Sequence, residues 1–372
     1  MSGWRIGRIG GISIEINSSW LLIFALFFYR LGSDLFPRWA EGGARWAPWA
    51  AAFCATILFF TSVLLHELAH SFVARRTGIQ VSRITLFVFG GVAQVEEEPR
   101  KATDELLISL AGPGASVLLS VLFGGLYWSA ARLHGPALVM ACLQYVAFAN
   151  LALAIFNMVP GFPMDGGRVL RSLLWYAWGD LLRATRVASF MGQLVGYALV
   201  GFGVLSGMRS GGIVDGVWMV LLGMVLATVA RQAYRREVTQ AALARATLGQ
   251  LAVPPGLVFQ IGTPLSVAVP YLQQQPSLTW APVLHAAQPV GILRLDRLRQ
   301  LPAAQWAGLL VEEVMEPLRE DVVMRHSRSA LDAATRLAET AVGKLMVLDD
   351  WGNLQGIVTE GSLAAALAAV AR

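Results

Sequence analysis

The stretch LLHELAHSFVARRTG, residues 64–78, sets His66, Glu67 and His70 at the end of a long apolar run. Residues four apart on a helix share one face, about a turn from each other. Both imidazoles therefore reach a single metal ion. Zinc suits such a pair, and it lowers the pKa of a coordinated water to about 7. Glu67 sits beside the first ligand but off the ligand arc. From there it acts as general base on that water and later passes the proton to a leaving amine. The bland alternative is two helix histidines with a chance glutamate between them. With five histidines in 372 residues, such a match is roughly a one-per-cent event. Ionisable groups at membrane depth are also costly and functional by default. His66 lies nine residues before Arg75, which puts it about 13 Å below the headgroups at 1.5 Å per residue.

A catalytic zinc usually takes three protein ligands and keeps a fourth position open. The best candidate for the third is Asp165, in NMVPGFPMDGGRVLR, residues 157–171. Pro160, Gly161 and Pro163 end a helix there, and Gly166-Gly167 let the backbone turn sharply after the aspartate. Irregular backbone at membrane depth is tolerated only where it is buried in protein or lines a water-filled cavity. The alternative is an ordinary cytoplasmic loop in which Asp165 caps a helix.

These groups need a membrane scaffold, and the composition supplies one. The chain is 56% hydrophobic and 14% charged, with mean hydropathy +0.57, against about 25% charged for soluble domains. The fold class expected is a polytopic α-helical membrane protein. About six runs are long enough to cross some 30 Å of hydrocarbon: residues 20–36, 47–74, 105–132, 137–159, 187–208 and 213–234. The net charge of +5 comes almost wholly from arginine. Arginines gather before the first run and after the second, fourth and sixth. By the positive-inside rule, both termini and the histidines then face the cytoplasm, so the excess reads as membrane topology and not as nucleic-acid binding. Cys54 and Cys142 lie inside apolar runs and read as small buried hydrophobes. No cleavable signal peptide is evident, because about eighteen mixed residues precede the first run and no small-residue cleavage site follows.

Two segments read as strands of a small juxtamembrane β-sheet. GISIEIN, residues 11–17, alternates apolar and polar residues. RITLFVFGGVAQVEE, residues 83–97, reads as two β-rich halves around Gly90-Gly91, a hairpin signal. Such an edge either caps the bundle or receives an extended substrate by strand addition.

The embedded HELAH with the later FNMVPGFPMDGG resembles the site-2 protease family of intramembrane zinc metalloproteases. GISIEINSSW, FVFGGVAQVEEEP and LAGPGAS resemble that family in order and spacing, over residues 1–235. The resemblance implies that His66, His70 and Asp165 bind zinc and that Glu67 is the base. It also implies that Asn157 helps hold the substrate or the developing oxyanion. One departure is visible: the family's AGPxxN ends here in Ser116. The expected effect is on helix packing or substrate contact, not on metal binding.

Beyond Arg236 the composition changes, and residues 237–257 are expected to be a linker. Residues 258–372 carry a weak repeat. APVLHAAQPVGILRLDRL resembles LMVLDDWGNLQGIVTEGSL, with Val283 and Val347 offset by 64 positions and Gly291 and Gly356 by 65. Two small α/β units that bury little core alone should pack together. The pair resembles tandem CBS domains, soluble modules that often bind adenine nucleotides, and the resemblance implies a cytoplasmic, regulatory tail in a bacterial membrane protein. A homodimer through this pair is one arrangement it allows. The family's ribose-binding carboxylates are absent: Thr359 is followed by Ser362, and Arg294 and Arg297 stand in the first unit. These arginines are candidates for phosphate contact, and a purely structural tail is the alternative.

The expected partners are the lipid bilayer and a transmembrane protein substrate, by family analogy an anti-sigma factor or a membrane-bound pro-protein. The competing function is a metal-ion transporter with a CBS tail. A transporter does not need Glu67, and the repeat symmetry often seen in transporter bundles is missing. An inactive scaffold is disfavoured by the intact metal set.

Overall fold

The computed structural model describes residues 3–40, 44–88, 90–95, 98–210, 213–274, 279–298, 301–302, 305–339 and 343–370. The chain divides into two compact units, Met1–Arg235 and Arg236–Arg372.

The first unit begins with strands β1 (Trp4–Ile9) and β2 (Ile12–Ile16), then helix α1 (Ser18–Arg30). Asn17 caps α1 by accepting from the Ser19 amide at 3.0 Å, the usual role of Asn at a helix start. Next come α2 (Ala47–Arg76), β3 (Val81–Phe87), β4 (Gly90–Val95), α3 (Ala102–Arg132), α4 (Ala137–Asn157), α5 (Asp165–Trp178), α6 (Leu181–Ser210) and α7 (Ile213–Arg245). Six helical segments are long and apolar enough to cross a membrane: Ser18–Trp39, Ala47–Arg76, Ala102–Arg132, Ala137–Asn157, Leu181–Met208 and Gly216–Arg245. They coincide with the six apolar runs to within a few residues at most ends. Their outward faces are greasy: Leu118 is 72% exposed and Phe148 69%. Such a surface is stable only in lipid.

The four strands form one sheet in the order β1-β2-β3-β4. β2 and β3 are parallel, with Ile14 opposite Ile84. Ile12, Ile14 and Ile84 are buried, which is why the alternation in GISIEIN was readable. The hairpin differs from expectation. Gly90 and Gly91 do not form its turn. They open β4 and pair with Phe87 and Leu86, while Glu96 and Glu97 lie outside the described residues. β1 carries no burial pattern at all, so nothing in its sequence marked it as a strand. Helix α5 was also unforeseen. It is short and amphipathic, and it starts at the aspartate itself.

The second unit continues with α8 (Leu248–Leu251), β5 (Phe259–Gln260), α9 (Leu265–Gln273), β6 (Trp280–His285), β7 (Gln288–Arg294), α10 (Leu295–Leu298), α11 (Val311–Val314), β8 (Glu316–Pro317), β9 (Val323–Arg325), α12 (Ala330–Glu339), β10 (Lys344–Leu348), β11 (Leu354–Thr359) and α13 (Glu360–Val370). It holds two sheets, β5-β6-β7-β8 and β11-β10-β9. The repeat is structural. Val283 pairs with Gly291 across β6 and β7, and Val347 pairs with Gly356 across β10 and β11. In both hairpins the register slips immediately after that valine.

Residues 237–257 are not the bare linker expected. Leu243 and Leu248 are buried in the core of the second half. The Leu248 and Gly249 amides donate to Arg328 and His326 carbonyls at 2.9 and 3.0 Å, and Val253 bridges Ile357. The apolar side chains in this segment fill a core that the second repeat leaves open.

Candidate metal centre

Three elements of the first unit converge on one point. α2 supplies His66, Glu67 and His70, α5 supplies Asp165 as its first residue, and α3 supplies the wall. His66 Nε2 lies 3.2 Å and His70 Nε2 3.3 Å from the same Asp165 oxygen, Oδ2. The two Nε2 atoms are 3.2 Å apart. The three side chains offer their donor atoms within 4.8 Å of one another and are the only such group among the described residues. The ligand set expected from the sequence is thus brought together from positions nearly a hundred residues apart.

The far side of each ring meets a partner on α3. His70 Nδ1 lies 2.6 Å from the carbonyl oxygen of Ile108 on α3. A carbonyl only accepts, so Nδ1 carries the proton and Nε2 keeps its lone pair for a metal. His66 Nδ1 lies 2.9 Å from the Ser116 hydroxyl, a group able to donate or to accept, so this contact pairs the two side chains without setting the tautomer. Ser116, the departure from AGPxxN, thus touches a candidate ligand directly. Two imidazoles and one carboxylate, with the His70 lone pair turned inward, form a donor set that fits Zn2+. To serve as a ligand, Asp165 would be ionised.

Space at the centre is set by two glycines. At Gly112 of α3 a Cβ would overlap Nε2 of both histidines. At Gly91 of β4 a Cβ would overlap the Glu67 side chain and stand 3.1 Å from its Oε1. Gly91 is thus at the site. Gly90 does not touch Glu67: a Cβ there would meet nothing within 4 Å, and its φ of +126° favours glycine by backbone conformation.

Behind the centre, α3 and α5 are joined by a buried ion pair. Arg171 Nε donates to Glu105 Oε1 at 2.8 Å, and Arg171 Nη2 donates to the same oxygen. Arg168 Nε adds a contact at 3.6 Å. Neither Glu105 nor Arg171 was foreseen; charges in the first turns of helices next to loops look solvated in a sequence. Asn157 ends α4, half-buried, and its side chain makes no hydrogen bond among the described residues.

The nucleotide candidates are otherwise engaged. Arg294 pairs with Asp296 at 2.7 Å and with Glu316 at 3.8 Å, and Arg297 pairs with Glu316 at 3.1 Å. The Thr359 amide donates to Ser362 Oγ and the Ser362 amide to Thr359 Oγ1, at 2.9 and 3.1 Å. That reciprocal pair caps α13.

Comparison with known proteins places the geometry in context. The model of peptidase family M50 matches residues 54–134 and 128–202. A Synechocystis sp. protein named as a candidate zinc metalloprotease is 30% identical over 363 residues, covering 96% of this chain and 94% of its own length. A solved structure of the site-2 protease from Methanocaldococcus jannaschii is 30% identical, with TM-score 0.44, covering 63% of this chain and 95% of that one. The crystal structure of CBSX2 in complex with AMP is 28% identical, with TM-score 0.28, covering 34% of this chain and 98% of that one.

Proposed function

Because the chain belongs to peptidase family M50 and is a multi-pass zinc metalloprotease of the site-2 type, we propose that it cleaves a transmembrane segment of another membrane protein. In this reading His66, His70 and Asp165 hold the zinc and Glu67 is the general base. The same premise leaves no role for a metal-ion transporter. Zinc, when bound, supplies the Lewis acidity that polarises a carbonyl and brings water within reach of a carboxylate base. Glu67 takes the proton from water and returns it to the leaving nitrogen.

The observation that carries the reading is the contact of Gly91 with Glu67. β4 is the terminal strand of its sheet, and an edge strand offers unpaired amides and carbonyls to an extended peptide. A substrate helix hides its carbonyls in hydrogen bonds and must unwind before attack. Paired along β4, the unwound segment would pass beside the base. Asn157 serves substrate or oxyanion in this scheme, at the end of the helix that precedes Asp165. Both termini and the C-terminal pair face the cytoplasm of a bacterial cell.

The test is Glu67→Gln, expressed in the parent membrane and captured with bound proteins for mass spectrometry. Single-span proteins retained by Glu67→Gln and cleaved by the unaltered chain are expected, anti-sigma factors or membrane-bound pro-proteins among them. Cleavage at an unaltered rate by Glu67→Gln would remove it as the base. Zinc content of Asp165→Ala checks the ligand set, and native zinc binding would remove Asp165 from it. For the C-terminal pair we infer regulation of access, with an adenine nucleotide as the candidate ligand through Arg294, Arg297 and Thr359. Calorimetry of the full chain with ATP, ADP and AMP checks this; no heat with any of them would leave a structural tail.

A further inference from the structure

A groove of about 1010 Å³ runs between α2 and α3, on the outer surface of the first unit. Its walls are Phe72 and Val73 on one side and Val117 and Leu118 on the other, and Arg75 and Arg76 stand at its mouth. No carboxylate lines it. Arg75 reaches the Gly10 carbonyl of the β1–β2 turn. Neither arginine has an ion-pair partner among the described residues, so two positive charges are left at the mouth of an apolar trough.

The length of the trough limits what fits. Gly112 is pressed against both His66 and His70, so Ala111 on α3 stands level with Ala69 on α2. From Arg76 to Ala69 is about 10 Å along the helix axis, and from Ala111 onward to Leu118 about 10 Å more. The trough therefore starts at the arginines and ends roughly 20 Å deeper. A spanning helix needs about 30 Å. One acyl chain needs less, and it enters with a headgroup at the membrane surface.

We propose that this groove binds an anionic phospholipid of the leaflet that holds Arg75 and Arg76. The phosphate sits against the two guanidinium groups and an acyl chain lies along Phe72, Val73, Val117 and Leu118. The guanidinium plane suits a phosphate bidentately, and a zwitterionic headgroup with its own ammonium gains less. The site borders the metal centre: Ala69 precedes His70 and Ala111 precedes Gly112, so lipid occupancy presses on the two helices that set the imidazoles.

Native mass spectrometry of the full chain in detergent tests this, with equal additions of dioleoyl phosphatidylglycerol and dioleoyl phosphatidylcholine. One phosphatidylglycerol is expected to be retained with a preference of about tenfold or more, as two basic groups near an anionic headgroup provide. Arg75→Gln combined with Arg76→Gln should erase the preference. Gly114 lines the groove, and a Cβ there meets nothing within 4 Å. Gly114→Leu should therefore fill the trough and lower retention of both lipids, while zinc content stays native. If that variant loses zinc, Leu118→Trp closes the same groove from its lipid-exposed side. Equal retention of the two lipids by the unaltered chain overturns the proposal. So does undiminished phosphatidylglycerol retention by a groove-filled variant with native zinc.

Discussion

Gly91 of β4 lies so close to Glu67 of α2 that a Cβ there would stand 2.9 Å from the Glu67 carboxyl carbon. The strand that offers an open edge and the glutamate that follows the first zinc-ligand candidate are thus in contact, with no side chain between them. An edge strand holds an extended peptide in register. A base must stand within hydrogen-bond reach of the atoms it serves. One glycine meets both requirements.

Gly91→Ala is accordingly expected to displace Glu67 or lift β4. Misplacing a catalytic group by about an ångström costs on the order of a hundredfold in rate. We expect kcat/KM to fall by about that much with zinc content unchanged. Gly90→Ala should act differently, through backbone strain at φ +126°, and should lower thermal stability as well. Cleavage kinetics in proteoliposomes with zinc analysis separate the two. Unaltered cleavage by Gly91→Ala would show that the strand does not position the base.

Ser116→Ala removes the hydroxyl that pairs with His66 Nδ1 at 2.9 Å. Partners behind metal ligands are typically worth 10- to 100-fold in metal affinity. Zinc affinity, measured by competition with a chelator, should fall about that far with helix content unchanged. An affinity equal to the unaltered chain would leave Ser116 with helix packing or substrate contact alone.

The candidate ligands that come together were legible because His66 and His70 share one helix face and because charge is conspicuous in apolar sequence. The spans were legible for the same reason: lipid leaves few ways to pattern a helix. Ser116 was visible as a departure but not as a partner of His66, since fifty positions separate them and only packing of α2 on α3 brings them together. The Ile108 carbonyl has no side-chain signature at all. Helix α5 was hidden by its own amphipathic pattern, which resembles a cytoplasmic loop. In the second unit, the valine and glycine that mark each repeat turned out to be cross-strand partners, so the repeat carried register as well as composition.

Leu248 is fully buried in the second half of the C-terminal unit, in a segment that composition presents as a connection. Leu248→Ala should destabilise that unit by about 2–5 kcal/mol, the range for buried leucine truncation. Hydrogen exchange of the full chain would show it as faster exchange in residues 323–370 with little change in α2 and α3. A uniform or absent response would mean that the segment contributes no core.

Glu105 and Arg171 sit on the two helices that complete the metal centre. Glu105 lies one turn before Ile108, whose carbonyl orients His70, and Arg171 lies six residues after Asp165. Both side chains are nearly closed to solvent, at 1% and 9% exposure. Removing one partner of a buried pair leaves an uncompensated charge and typically costs 3–5 kcal/mol, whereas replacing both with apolar groups is often neutral. Arg168, at 3.6 Å from Glu105, softens the loss. Arg171→Met is therefore expected to cost about 3 kcal/mol and to weaken zinc retention, because α5 carries Asp165. Glu105→Leu combined with Arg171→Met should recover most of the stability. If the pair also sets the register of Asp165 against the two imidazoles, zinc retention will recover less than stability does. Thermal unfolding in detergent with zinc analysis reads both quantities on the same samples. Full recovery of zinc in the double variant would make the pair a packing device alone, and no loss in Arg171→Met would mean that Arg168 suffices.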